Sequence, residues 1–360
     1  MKTRRVPEDT VREAIAFSLL PKVGGGRFRK SVEQHGSAAA AFRATGSAPE
    51  REQALREADD LIAKSSAASA SLLVQREDDY PASLLDLGDP PSFLYALGDP
   101  SLANRRRVGI VGTRHASSSG DRIAHEMAAL LARQGVVVVS GMALGIDAAA
   151  HRGALDAGGG TIAVLGGGVD VPYPPTHRAL HARIVGEGLA LSEAPLASHP
   201  VLGAFPKRNR IIAALSETLI VVEAGERSGA LITSRLALEL GRTVAAVPGP
   251  IDSPRHVGSN RLLSEGAAFI ARVEDVLSIA GIDAAQEKPA AESRPDDVVP
   301  DAPSHAAILN AVRAGASDLE DLARSTRLAP REFATALSTL ELTGKLTVTA
   351  TGAVSVSESL

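Results

Sequence analysis

Seven apolar runs of strand length (residues 108–111, 136–139, 161–165, 189–191, 219–222, 244–247 and 268–270) alternate with helical stretches through the middle of the chain. The runs are continuous in apolar residues, with no alternation of apolar and polar positions. A strand reads that way when helices cover both of its faces, so the pattern predicts an α/β core with a doubly wound, mostly parallel sheet. All seven fit within residues 100–275. Just before them, residues 71–99 turn extended, with Asp79-Tyr80-Pro81 and Asp89-Pro90-Pro91 as punctuation, and read as a lead-in to the sheet.

The flanks differ from this core. Residues 8–66 carry helical spacing in Val11, Ala14, Ile15, Ser18 and Leu19 behind Pro7, and Pro21 to Gly26 then form a Gly-rich turn. That turn either connects two helices or presents its amides to a DNA backbone. Residues 281–304 are rich in Asp, Glu, Pro and Ala with little apolar content and are expected to be a flexible linker. Three short helices (306–313, 318–325, 330–343) and two strands (345–349, 353–356) follow, a winged-helix outline. Its third helix offers only Arg331 against Glu332 and Glu341, which favours a protein contact or a structural role over a DNA groove. The expected domains are residues 1–70, 71–280 and 305–360, with 281–304 between the last two.

Composition narrows the function classes. The 360 residues include no Cys, which removes disulfides, thiolate zinc sites and thiol nucleophiles. No apolar run reaches membrane-spanning length, and the opening residues Lys2, Arg4, Arg5 and Pro7 carry no hydrophobic signal core, so the expectation is a cytoplasmic protein. The net charge of −4 conceals a distribution: residues 100–275 hold 18 Lys and Arg against 15 Asp and Glu, and 17 of those 18 cations are Arg. Arg makes forked contacts to phosphate. Arg and Ala enrichment equally fits a GC-rich genome.

Ligands of an open parallel sheet sit beyond the carboxyl ends of its strands. The residues there share a theme: Gly112-Thr113-Arg114, then Ser140-Gly141 through Gly145 to Asp147, then Gly166-Gly167-Gly168. Each Gly-rich loop opens a helix, so bare N–H groups and positive helix ends face one crevice and make an anion site. Phe205-Pro206-Lys207-Arg208-Asn209-Arg210 adds three cations, an amide and a ring. Several phosphates in a row, as in a polynucleotide, would use them all. Phe205 either stacks on a base or fills core beside Pro206. Arg208 and Arg210 point in different directions on a helix, one toward phosphate and the other toward an internal carboxylate such as Glu223. Ser228, Gly229 and Thr233 form another Gly/Ser loop, and Asn260 either caps its helix or touches ligand.

Together with Asp147 and His151, Tyr173-Pro174-Pro175 and His177, Ser192-Glu193 and Pro248-Gly249, these motifs resemble, in order across residues 70–275, the DNA-processing protein A family (DprA, also called Smf). The resemblance implies a Rossmann-like core with a SAM/helix-hairpin-helix-like N-terminal domain and a C-terminal winged helix. It implies a non-catalytic homodimer, without cofactor or metal, that binds single-stranded DNA and helps load the strand-exchange recombinase RecA in natural transformation and recombination. Single-strand-binding protein is a further candidate partner. Gly112, Thr113 and Arg114 would hold phosphates, Gly141 and Gly145 would line the same pocket, and Phe205, Arg208 and Asn209 would complete it. Many relatives carry a basic residue ahead of the Phe, where this chain has Leu202 amid residues 199–204.

A rival class is a Rossmann-like hydrolase of nucleoside monophosphates, with Asp147 or Glu223 as the carboxylate. Its Pro-Gly-Gly-x-Gly-Thr loop and following Glu are missing: Thr233 leads into Ser234, Arg235 and Leu236. Asp147 is expected instead to accept N–H bonds at its own helix start, with His151 as its partner four residues on. Dinucleotide binding lacks the Gly-x-Gly-x-x-Gly order. His177 and His181 have the spacing of metal ligands without a Glu between them and read as a surface helix.

Overall fold

The computed structural model describes residues 8–201 and 203–282, and then 303–314, 316, 318–326, 328–342, 345–348 and 354–356. Leu202, residues 1–7 and most of the expected linker lie outside the described residues. The chain divides into two compact units, Met1–Asp283 and Ala284–Leu360.

The first unit opens with helices α1 (Glu8–Leu19), α2 (Gly25–His35), α3 (Ala38–Ala44) and α4 (Ala48–Ala67) around Phe17 and Phe28, whose ring centroids lie 5.0 Å apart. Ser47 starts α4 through a capping box: its hydroxyl accepts the Glu50 N–H, and the Glu50 carboxylate accepts the Ser47 N–H at 2.6 Å. The Gly-rich turn serves the protein. A Cβ on Gly25 would stand 1.5 Å from the Pro90 carbonyl oxygen, and the Gly26 N–H donates to Asp89 at 2.8 Å.

Nine strands follow as one sheet. In chain order these are β1 (Ser71–Val74), β2 (Phe93–Gly98), β3 (Arg107–Val111), β4 (Val137–Ser140), β5 (Thr161–Val164), β6 (Leu189–Ser192), β7 (Thr218–Val221), β8 (Thr243–Ala246) and β9 (Ala268–Phe269). Their spatial order is β1-β2-β6-β5-β4-β3-β7-β8-β9. Pairings of β1 with β2 and β2 with β6 are antiparallel, and the rest are parallel. The connecting helices are α5 (Ser118–Arg133), α6 (Ile146–Asp156), α7 (Arg178–Glu187), α8 (Ala204–Leu215), α9 (Gly229–Glu239) and α10 (Val257–Ser264), with α11 (Asp275–Ile279) last.

The continuous apolar runs have the expected cause. Val108, Ile110, Val138 and Ile220 pack beneath Met127 and Leu131 of α5 and Ala149 of α6. Their neighbours Val111, Val139, Leu219 and Val221 face Ile211 and Leu215 of α8 and Ala237 of α9. Every residue of β3 through β7 is therefore buried. Each fully buried Val or Leu contributes about 1.5–3 kcal/mol, so a polar residue at either parity would be costly.

The second unit contains α12 (Pro303–Arg313), α13 (Leu319–Thr326) and α14 (Pro330–Leu342), then β10 (Leu346–Val348) antiparallel to β11 (Val354–Val356). Ile308, Leu322, Ala336, Leu340 and Leu346 form its core. Three helices and a two-stranded wing are a winged helix.

Candidate nucleic-acid interface

The chain fills the sheet from β3 through β6 on one side and resumes at β7 on the other flank of β3. Strand order reverses between β3 and β7, where an open parallel sheet forms its crevice. A depression of about 560 Å³ lies there, between the 112–115 loop, the start of α8 and the 225–229 loop. Two more continue it along the carboxyl edge, one of about 80 Å³ over β4 and β5 and one of about 460 Å³ over β5 and β6. Arg208 lines all three, and Arg114 and Phe205 line the first two. The rim thus carries one groove across five strand ends, about 19 Å at the usual strand spacing of roughly 4.8 Å.

Arg114 is exposed at the centre of this groove, its guanidinium carbon 5.1 Å from the Phe205 ring centroid. Phe205 in turn leans on Tyr173, with centroids 5.7 Å apart. No carboxylate among the described residues pairs with Arg114, Lys207 or Arg227, so these cations are free for a ligand. The loop bearing Arg114 is tied at three points. The Thr113 N–H donates to the Glu223 carbonyl at 2.7 Å, and the Thr113 carbonyl accepts from the Ile146 N–H at 3.3 Å. The Ser117 N–H and hydroxyl both donate to the buried Glu223 carboxylate, the N–H at 3.0 Å. Gly145 makes the second tie feasible: it has φ +73°, and a Cβ there would stand 2.5 Å from the Thr113 oxygen.

Arg208 sits in the groove floor, 7% exposed. Its Nη1 donates to the carbonyls of Gly141, at 2.6 Å, and Val164, and its Nε donates to Asn209 at 3.3 Å. Gly141 has to be glycine because a Cβ would come within 2.5 Å of that guanidinium. Arg208 is therefore a strut joining the ends of β4 and β5. Among the described residues its Nη2 has no acceptor, so that edge is left for the groove. Burial pushes its pKa down to about 10, opposed by Asp147 and reinforced by Arg114. It stays a cation at neutral pH. Burial pushes the Asp147 carboxyl up, opposed by Arg208 and by N–H bonds from Ala143 at 3.4 Å and Gly141 at 3.1 Å.

Gly112, Thr113, Arg114, Phe205, Arg208, Asn209, Ser228, Gly229 and Thr233 meet at the first depression. Gly141, Gly166 and Gly167 line the second, and Lys207 the third. Gly145 borders a shallow depression beside Arg114. Besides Gly145, three named residues lie outside the three depressions of the groove. The Ser140 hydroxyl is buried on the Ile110 carbonyl at 2.6 Å. Asn260 bonds both ways to the Gly249 backbone, at 3.1 and 3.0 Å. Arg210 turns away to Glu193 and the Asp89 carbonyl. Glu193, at the end of β6, is the carboxylate that meets α8, and Glu223 is not, since it is spent on Ser117. His151 likewise does not partner Asp147: its ring bonds Thr161 at 2.7 Å, because the helix turns it toward β5. Thr233 spends its hydroxyl on the Gly229 carbonyl.

The sequence reading did not place His115, Tyr173 and Arg227 in the groove. The Tyr173-Pro174-Pro175 motif was a usable signal for one of them. Arg227 stands between Glu226 and Ser228 in a loop read for its glycines.

Comparison with known proteins identifies the family and the fold. The family model for DNA recombination-mediator protein A matches residues 71–281, and the DprA winged helix domain matches residues 287–350. A putative DNA processing protein DprA of Mycobacterium tuberculosis is 41% identical over 263 residues, 71% of this chain and 67% of that one. Protein Smf of Escherichia coli is 42% identical over 199 residues, 55% of this chain and 53% of its own length. The X-ray structure of DprA from Streptococcus pneumoniae superposes with TM-score 0.63 at 31% identity, covering 74% of this chain and 95% of that one. A Helicobacter pylori DprA structure, described by its single-stranded DNA binding mode, gives TM-score 0.54 at 32% identity over 58% of this chain and 94% of its own.

Proposed function

Because this chain belongs to the DNA recombination-mediator protein A family, we propose that its groove binds single-stranded DNA and that, as a homodimer in the cytoplasm, it helps load the recombinase RecA onto that strand during recombination and natural transformation. The observation that carries the reading is the continuous rim of three depressions, along which Arg114, Arg227 and Lys207 pair with no carboxylate among the described residues. Its length exceeds what a mononucleotide needs, and it places cations in more than one of the depressions, as a chain of phosphates would use. The Helicobacter pylori relative, described as binding single-stranded DNA, supports the choice of ligand. Among the described residues Asp147 is the one carboxylate lining the first depression, and it accepts N–H bonds from Gly141 and Ala143, which supports a structural role over that of a general base. Single-strand-binding protein is the further partner that the same DNA would bring.

A fluorescence titration of labelled single-stranded and duplex oligonucleotides at several salt concentrations tests this. Arg114→Ala should weaken single-strand binding and reduce the slope of log affinity against log salt by about 0.7, the value for one lost phosphate contact on a single strand. Unchanged affinity and slope would remove Arg114 from the interface. Adenosine monophosphate binding as tightly as the oligomer, or being hydrolysed, would replace the reading with the hydrolase class.

A further inference from the structure

The 560 Å³ depression at the β7 end of the groove is its most cationic part. Among the described residues, Arg114, Arg208 and Arg227 line it against the single carboxylate of Asp147, which leaves two positive charges in excess. The 460 Å³ depression at the other end sets Lys207 and Arg208 against Glu193. A phosphodiester inside a strand brings one negative charge, whereas a phosphate monoester brings about −1.5 to −2 at neutral pH. We propose that the 560 Å³ depression seats the phosphate monoester at the end of a bound strand; this rests on reading the groove as a single-stranded DNA site.

The strand ends are closed beyond this depression. At the end of β7, α10 packs against the loop: the Gly258 N–H donates to the Ala224 carbonyl at 2.8 Å, and a Cβ on Gly258 would stand 2.7 Å from the Gly225 oxygen. At the end of β8, Asn260 occupies both polar groups of Gly249. A strand lying along the rim therefore meets a wall at the 225–229 loop. The donors at that wall suit a terminal phosphate. Ser228 caps α9, and its hydroxyl accepts the Ala230 N–H at 3.3 Å while keeping its own proton to give. The Gly229 N–H donates to no acceptor among the described residues, at the positive end of an eleven-residue helix. From the floor, Arg208 is 7% exposed, and its Nη2 also lacks an acceptor among the described residues. Arg227 stands exposed on the loop itself. A monoester offers three free oxygens to these donors, and a diester offers two.

Anisotropy titrations on the full chain would compare oligomers of about twelve nucleotides, labelled on an internal base. They end in hydroxyls, in a 5′-phosphate, in a 3′-phosphate, or in either phosphate capped as its methyl ester. The expected result is that one of the two phosphorylated strands binds about tenfold tighter than the hydroxyl strand. Its methyl ester, which keeps the phosphate and loses the second charge, should return to the hydroxyl level. Arg227→Ala removes an exposed cation. Gly229→Asp sets a carboxylate in the place of the phosphate, where a helix start favours it and nothing lies within 4 Å of a Cβ. Each variant should bring phosphorylated and hydroxyl strands to within about twofold of one another. Lys207→Ala, in the far depression, should weaken both strands alike and keep their ratio. Equal binding of all ends, a methyl ester that keeps the advantage, or a ratio that survives both Arg227→Ala and Gly229→Asp overturns the proposal. Arg114→Ala separates the two failures: if it weakens binding of the hydroxyl strand, only the terminal site falls, and if it does not, the groove itself is misread.

Discussion

Taking the protein from pH 7 to pH 5 should cost its α/β core about 2 kcal/mol through one imidazole. His151 is fully buried on α6. Its Nδ1 lies 2.7 Å from Thr161 Oγ1, and that hydroxyl already donates to the Val138 carbonyl at 2.8 Å, so Nδ1 must be the donor. The other nitrogen, Nε2, is buried with no partner among the described residues. Protonation there would add a charge in a dry site facing Arg208, His177 and Arg152, and the pKa is accordingly held down to about 3, chiefly by burial. In the unfolded chain it returns to about 6.5. Below 6.5 the unfolded state binds a proton that the folded state refuses, so stability falls as pH falls, by about 1.4 kcal/mol per unit, and levels off near pH 3. Above 6.5 the effect vanishes. The chain has no Trp, and its three Tyr (Tyr80, Tyr95 and Tyr173) all lie in the first unit, so tyrosine fluorescence in urea follows that unit alone. His151→Gln keeps a donor for Thr161 and removes the titration. The wild-type loss between pH 7 and 5 should exceed the variant's by about 2 kcal/mol. Equal slopes, or a His151 imidazole that titrates near 6.5 by NMR, would refute the reasoning.

The remaining expectations concern the fastening of the groove. Glu223→Ala leaves the Ser117 N–H without its acceptor and should cost about 3 kcal/mol in urea unfolding, whereas Glu223→Gln, which keeps the shape, should cost distinctly less. Equal losses would show that the carboxylate is not the tie. Arg210→Ala removes a partly buried pair with Glu193 and should lower stability by about 1 kcal/mol, yet leave oligonucleotide affinity within about twofold. A tenfold loss of affinity would return Arg210 to the interface.

Much of the fold was legible because the cause is local. A strand buried on both faces must be apolar at both parities, and β3 through β7 announce themselves that way. The glycine loops were legible for the same reason, since close approach and positive φ are backbone demands. What each cation does was not. Arg208 and Arg210 stand two apart in one motif, and nothing in their order says that the first props the ends of β4 and β5 while the second reaches Glu193 just past β6. The partner of a long side chain is set by which strand end lies beneath it. His151 shows the limit again: helical spacing offered Asp147, but the sheet supplied Thr161. The winged-helix outline emerged from the lengths of three helices and two strands, with residues 349–353 between the strands outside the described ones.

The loop that carries Arg114 grows from β3 yet is latched by Glu223 at the end of β7, on the far side of the topological seam. The two flanks of the sheet cannot part there without unfastening the guanidinium. Readiness to bind and integrity of the seam are thus one equilibrium, and any occupant that selects the closed form must, by mass action, hold the seam shut. Amide protons along β3 and β7 should exchange more slowly when the groove is filled, though no ligand atom lies against them.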